Sequence, residues 1–163
     1  NVVIVYHSGY GHTDRVAHSV AEGAHGDLLK IDADGNLPDG AWDKLNAASA
    51  IVFGTPTYMG GPSWQFKKFA DASSKAWFGR AWQDKLFGGF TCSASLNGDK
   101  GATLAYLNTL AAQHGVGSAL NALEGMIGQM SAEEKQKGAA LFDQWRSRTA
   151  AVSSPARLIP VPG

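Results

Sequence analysis

Seven residues near the start of the chain, His7-Ser8-Gly9-Tyr10-Gly11-His12-Thr13, combine hydroxyls and glycines in a pattern suited to holding an anion. They follow the apolar run Val2-Val3-Ile4-Val5-Tyr6 and precede Val16, Ala17, Val20, Ala21 and Ala24 at helical spacing. A strand that stops at such a loop and resumes as a helix gathers N–H groups that lack intrahelical partners. The helix dipole favours negative charge at the same place. Ser8 and Thr13 add hydroxyl donors, and no Lys or Arg lies in the loop. An anion held there by dipoles alone is a phosphomonoester kept in place, not a triphosphate being cleaved. A nucleotide-hydrolysing loop ends in Gly-Lys-Ser/Thr, where this chain has Gly11-His12-Thr13. A dinucleotide fingerprint needs a third glycine where Asp14 stands, and its charge opposes a pyrophosphate. The plain alternative is a tight strand-to-helix turn that uses glycines only for geometry.

The elements that must position this loop alternate along the chain. Asp27 to Ile31 reads as a second strand, and Asp39 to Leu45 as a short helix with Asp39 as its cap. Ala50-Ile51-Val52-Phe53 is a third strand, ending at the loop Gly54-Thr55-Pro56-Thr57-Tyr58-Met59-Gly60-Gly61-Pro62. A helix follows from Ser63 with Phe66, Phe69 and Ala70 inward. Leu86 to Thr91 is a fourth strand, followed by the loop Cys92 to Asp99. Gly101 to His114 is a helix with Leu104, Leu107 and Ala111 on one face, and Ala132 to Thr149 a last helix. This alternation predicts an α/β fold: a three-layer sandwich with a central parallel sheet covered by helices on both faces. The three polar or glycine-rich loops follow the carboxyl ends of strands one, three and four. An open parallel sheet binds ligands in the crevice at those ends, so the loops should converge on one site.

Such a sheet wants a fifth strand after His114, yet Gly115 to Leu120 is poor strand material. A vestigial strand and a run of residues missing from the chain are the two explanations. A Cα–Cα step well beyond about 3.8 Å would mark the second.

Composition narrows the class. The 163 residues suit one domain over 1–163, with 155–163 as an extended tail. With 14 basic and 14 acidic side chains, no basic run suggests nucleic acid. No stretch approaches the roughly 20 apolar residues of a membrane span, so no membrane insertion is expected. The lone Cys92 fits a reducing compartment, read here as the cytoplasm, and is taken as a small buried side chain. Asn1 already stands in strand register, so no signal peptide is expected. No metal site is expected.

Taken in order, YHSGYGHT with VAHSVAEGA, GTPTYMGGPSWQFKKFAD, the Trp77-Phe78 segment, and FTCSAS with NGD resemble the flavodoxin-like FMN proteins. Within them they are most similar to the tetrameric NAD(P)H:quinone oxidoreductases of the WrbA type. The resemblance implies a flavodoxin-like fold, bound FMN, and NADH or NADPH as co-substrate. It implies that Ser8, Gly9, Tyr10, Gly11, His12 and Thr13 hold the phosphate. Thr57, Tyr58, Met59 and Gly60 would lie along the flavin ring; Ser93, Ala94, Ser95, Leu96, Asn97 and Gly98 would wrap its pyrimidine edge and ribityl chain. Trp77, His114 and Tyr10 would serve the catalytic pocket. For Trp77 the other reading is plain packing, and for His114 it is a helix C-terminal cap favoured by the dipole. Trp42, Trp64 and Trp82 read as packing residues. His12 either donates to the phosphate or faces solvent, and Asp99 either meets the ribityl hydroxyls or caps the next helix.

The implied activity is an FMN-dependent NAD(P)H dehydrogenase (quinone), passing a hydride through flavin N5 in a two-electron ping-pong cycle. A quinone or other small acceptor is the implied partner, and a homodimer or homotetramer the implied assembly. No acid or base side chain is obligatory for hydride transfer. One rival is a flavodoxin-type electron carrier, against which the balanced charge argues, since carriers use net charge to steer to partners. Another is an FMN reductase without quinone specificity, and a third is a flavin-free interaction module, against which the intact loops argue. The chain departs from the WrbA type at Tyr58, where a polar or basic residue is usual.

Overall fold

β1 (Val2–His7) is buried from Val3 to His7, the mark of a strand covered on both faces. In this computed structural model residues 1–96, 99–115 and 136 are described. Gln136 aside, they fall in one compact unit, Asn1–Ala122. β1 pairs in parallel with β2 (Asp27–Ile31) on one side and β3 (Ala50–Tyr58) on the other. β5 (Leu86–Cys92) joins β3 in parallel, giving the order β2-β1-β3-β5, and the two-residue β4 (Gly61–Pro62) folds back antiparallel on the end of β3.

Helices cover both faces. α1 (His12–Ala24) sets Ala17 and Ala21 against Ile4 and Tyr6. α2 (Ala41–Ala47), α3 (Trp64–Ala72), α4 (Ser74–Phe78) and α5 (Asp99–Gln113) contribute to the opposite core, where Leu45, Phe66, Phe69, Ala76 and Leu107 meet Val3, Val5, Ile51 and Phe53. Phe53 lies at the middle of this core, with the rings of Phe66, Phe69, Trp82 and Phe87 at centroid distances of 5.0–6.2 Å. Each such buried side chain contributes on the order of 1.5–3 kcal/mol before entropy is charged against it. The strand order turns back between β1 and β3, so the crevice outside their carboxyl ends is the topological switch point.

The predicted α/β sandwich is the fold observed, with several local differences. β3 runs on to Tyr58 instead of ending at Phe53. Gly54 is thus a strand residue and not the start of a loop. It is glycine because the Phe90 ring on β5 takes the space of its Cβ. Beyond Gly54, β3 has lost its β1 partner but keeps pairing with β5 as far as Pro56↔Cys92. A residue without an N–H is tolerated on such a one-sided stretch. Asp39 does not cap α2: Gly40 does so, at φ 71°, and no side chain takes part.

α5 starts at Asp99 and buries Thr103, Leu107 and Ala111, leaving Leu104 44% exposed. Trp82 is buried and donates from its indole to Asn46 Oδ1 at 2.9 Å, while Trp64 is 60% exposed and is no packing residue. The residues beyond Gly115 where a fifth strand or a break was expected, the last helix apart from Gln136, and the tail lie outside the described residues. No helix among the described residues is long and apolar enough to cross a membrane.

Candidate functional site

The loop from β1 to α1 is organised by one hydroxyl. Ser8 Oγ accepts from the N–H groups of Gly11 and Asp14, each at 3.1 Å. Gly11, at φ 85°, is the N-cap of α1 and has no side chain to offer, so Ser8 does this from outside the helix. The amides of His12 and Thr13 are not engaged by Ser8 and open at the helix N-terminus, with Thr13 buried beside them.

Asp14, whose charge at this position opposes a pyrophosphate, is paired in the structure. Its carboxylate accepts from the Tyr6 hydroxyl at 2.9 Å and from Lys30 Nζ at 2.8 Å. The Lys30 hydrogen bond, followed by that of Tyr6, holds its pKa below the usual carboxylate value. Burial, then the bond to Asp14, pushes the Tyr6 hydroxyl up. His7, at the end of β1, is buried with Nδ1 unpartnered; burial, then the nearby Lys30 charge, lowers its pKa.

The second side of the site is the end of β3. Thr57 Oγ1 donates to Thr103 Oγ1 at 2.8 Å and lies 2.7 Å from Thr91 Oγ1. Its single proton goes to Thr103, so Thr91 is the donor of the other bond. This three-hydroxyl chain ties β3, β5 and α5 together just below the loops. Thr55 Oγ1 accepts from the Ser63 amide at 3.1 Å, and Ser63 Oγ caps α3 by accepting from Phe66 N–H at 3.3 Å. Between them Met59 and Gly60 both take left-handed φ, 49° and 78°, closing the two-residue β3–β4 hairpin.

The third side follows β5. Ser93 Oγ donates to Asp99 Oδ1 at 3.0 Å and accepts from Ser95 N–H at 3.1 Å, while Lys100 donates to the Ser95 carbonyl. Asp99 thus braces this turn from the first residue of α5.

Together these strand ends enclose a cavity of about 410 Å³ lined by Tyr10, His12, Thr13, Pro56, Thr57, Tyr58, Cys92, Ser93 and Ala94. The convergence expected of the three loops is what the structure shows. Ser8, Gly9 and Gly11 frame the cavity without lining it. Met59 and Leu96 are fully exposed, and Gly60 and Ser95 stand outside the lining. Asn97 and Gly98 lie outside the described residues.

Tyr10 is on the wall, 82% exposed, its ring edge-on to Tyr58 at a centroid distance of 6.1 Å. Trp77 is half exposed on α4 and does not line the cavity. His114 is not in the pocket. It is buried at the far end of α5, with Nε2 2.9 Å from Ser73 Oγ and its ring 4.3 Å from that of Trp82. The carbonyl of its neighbour Gly115 accepts from Asp84 N–H, just before β5 begins, which is the end of the sheet opposite the cavity. Burial lowers the His114 pKa. Cys92 is a half-buried free thiol on the cavity wall instead of a core side chain. Pro56, Cys92 and the buried Thr103 were not foreseen as site residues; their apolar or generic surroundings in sequence carry no signal for it.

A doubly wound parallel sheet with a cation-free anion cradle at its switch point, opening into an apolar-walled cavity, defines the class of flavin-nucleotide-binding α/β proteins. The cavity lies within the usual 300–1,000 Å³ of cofactor pockets, and the cradle of free amides fits a terminal phosphate, so the residues present fit FMN. The family model described as NADPH-dependent FMN reductase matches residues 11–124. The chain belongs to that family, as a flavodoxin-like FMN protein close to the WrbA type.

It is 64% identical over 113 residues to Flavodoxin FldP of Pseudomonas aeruginosa (strain UCBPP-PA14), covering 69% of this chain and 61% of that relative's length. An NAD(P)H dehydrogenase (quinone) of Geobacter sulfurreducens is 31% identical over 140 residues, 71% of this chain and 69% of the relative. Among solved structures, the flavodoxin, WrbA-like protein from Agrobacterium tumefaciens has 71% identity and a TM-score of 0.70, over 71% of this chain and 73% of that one. The Trp repressor binding protein from Bacillus subtilis, at 16% identity, TM-score 0.60, and coverage of 71% and 78%, shows the fold alone.

Proposed function

We propose that this chain carries the FMN site of an NAD(P)H-dependent oxidoreductase that reduces quinones or similar small acceptors. The observation that carries this reading is the meeting of three strand ends in one cavity whose phosphate end is polar and whose mouth is aromatic. FMN bound there supplies hydride acceptance from a reduced nicotinamide and two-electron delivery to a quinone.

The protein's own part is binding and orientation. The α1 amides with Ser8 and Thr13 would hold the phosphate, and Lys30 keeps the Asp14 charge paired beside it. The Thr91–Thr57–Thr103 hydroxyl chain fixes the floor against which the ring would rest. Tyr10, Tyr58 and Pro56 supply a flat apolar wall suited to a nicotinamide or quinone. Assembly as a homodimer or homotetramer suits Trp77 and Phe78, 52% and 86% exposed, which such a contact would cover. The free Cys92 thiol on the wall suits the reducing cytoplasm.

A second reading, an electron carrier serving a protein partner, is favoured by the 64% identity to Flavodoxin FldP. The zero net charge speaks against charge-steered docking. Anaerobic addition of NADH or NADPH to the FMN-loaded protein separates the two. Bleaching of the flavin band, reversed by a benzoquinone, supports the oxidoreductase. A bound flavin indifferent to both nicotinamides establishes the carrier.

A further inference from the structure

We propose that Tyr58 is a positioning residue of the cofactor site: its hydroxyl, seated on the Gly9 backbone, sets the phosphate loop from the flavin-side loop. A Cβ placed on Gly9 would meet the Tyr58 hydroxyl closer than any real Cβ contact, while the next ring atom, Cζ, would lie at an ordinary 3.5 Å. A side chain at position 9 would therefore have to displace that one oxygen. The hydroxyl lies against the Gly9 backbone, and partial burial, then Tyr10, raises its pKa, so the phenol stays protonated. It works as a neutral hydrogen-bonding group whose own proton is free to be donated into the cavity.

The two ends of this contact differ in rigidity. Tyr58 is the last residue of β3, next to Thr57 with its two hydroxyl partners, and it pairs with Gly61 across the hairpin. The phosphate loop has no cation, and its bonds through Ser8 tie it only to itself and to α1. Gly9 and Gly11, residues of wide backbone freedom, flank the exposed Tyr10. The Tyr58 hydroxyl supplies the missing tie from the rigid side. The chain uses a neutral phenol to shape the cradle.

The inference rests on FMN being the cofactor but not on turnover, so binding tests it apart from the activity. The apo-protein is titrated with FMN and with riboflavin, which lacks the phosphate, by flavin fluorescence. Four forms are compared: the unsubstituted chain, Y58F, G9A and the double variant. Y58F is expected to lower FMN affinity about five- to tenfold, the worth of one hydrogen bond, and to leave riboflavin affinity within about twofold. G9A, which displaces the hydroxyl, should do the same. The double variant should bind FMN no worse than either single one, because Y58F removes the oxygen that a methyl group at position 9 would meet. Rescue of a poorly folded G9A by Y58F supports the same contact.

Equal losses for FMN and riboflavin would make Tyr58 a ring contact only and overturn the proposal. Unchanged or tighter FMN binding in Y58F would overturn it too, the latter showing that the hydroxyl occupies the phosphate's place. So would additive losses in the double variant, or an unsubstituted chain that binds neither flavin. Selective loss of FMN binding by a protein that ignores both nicotinamides would keep this role and sink the enzyme reading.

Discussion

Lys30 reaches from β2 to set its ammonium 2.8 Å from Asp14 Oδ1 on the first turn of α1, where the Tyr6 hydroxyl donates to the same oxygen at 2.9 Å. The acidic residue that reads as hostile to a pyrophosphate is thereby turned toward the sheet and paired. It can then serve the α1 dipole, which favours a carboxylate in the first turn. K30M leaves that charge uncompensated beside the cradle. Because Lys30 is about half exposed, the expected loss of FMN affinity is modest, about two- to fivefold at low salt, and it shrinks as salt is added. Adding D14N to K30M should restore binding. A K30M protein that binds FMN as tightly as the parent at low salt would show the pair to be irrelevant to the anion.

The hairpin turn stores strain at Met59, a fully exposed side chain held at φ 49°. L-residues other than Asn disfavour this region by roughly 1 kcal/mol, whereas glycine enters it freely. M59G is therefore expected to raise the thermal midpoint slightly, by about 0.5–1 kcal/mol of stability, and G60A, at φ 78°, to lower it by a similar amount. Opposite signs in two thermal melts are the check.

Thr103 is fully buried and accepts the Thr57 proton. T103V keeps the shape and removes the acceptor, so about 1–3 kcal/mol of stability should be lost. The floor of the cavity should loosen as well, which flavin binding would read. A T103V protein with unchanged denaturation midpoint would mean that the hydroxyl chain contributes nothing.

Two histidines make stability fall with acid. His7 and His114 are both buried with lowered pKa, so the unfolded chain binds protons that the folded chain refuses. Stability is complete above the unfolded value, about 6.5, and declines as pH drops below it, at up to about 1.4 kcal/mol per pH unit for each group. H114Q should flatten the decline measured between pH 7 and 5 in denaturant titrations. Since His114 lies away from the cavity, the same variant should leave the rate of flavin reduction by NAD(P)H unaltered. A fall in that rate at full FMN occupancy would place His114 in the active site.

The loops were legible because chemistry and position coincide in one dimension. A Ser/Gly/Thr loop after an apolar strand signals free amides wherever the strand lies, and parallel topology brings all carboxyl ends to one edge. β1 follows from its unbroken apolar run, and the core line of Phe66, Phe69 and Ala70 from helical spacing. The surroundings of His114 were not legible, because its type and its place at a helix end do not say which edge of the sheet it meets. A helix crossing back over a parallel sheet runs against the strands, so its last residue ends at the opposite edge from the site.

The sequence by itself determined the sheet-and-helix alternation, the cation-free anion cradle and the edge at which ligands gather, because apolar period and loop composition act locally. Only the tertiary structure decided how far β3 extends, which threonines meet, what sits against Gly9 and where the Asp14 charge is paired. Each of these depends on a partner 8 to 49 residues away in the chain, Tyr6 for Asp14 at the near end and Tyr58 for Gly9 at the far end. No local pattern records such a partner, because the contact exists only once the sheet has set its register.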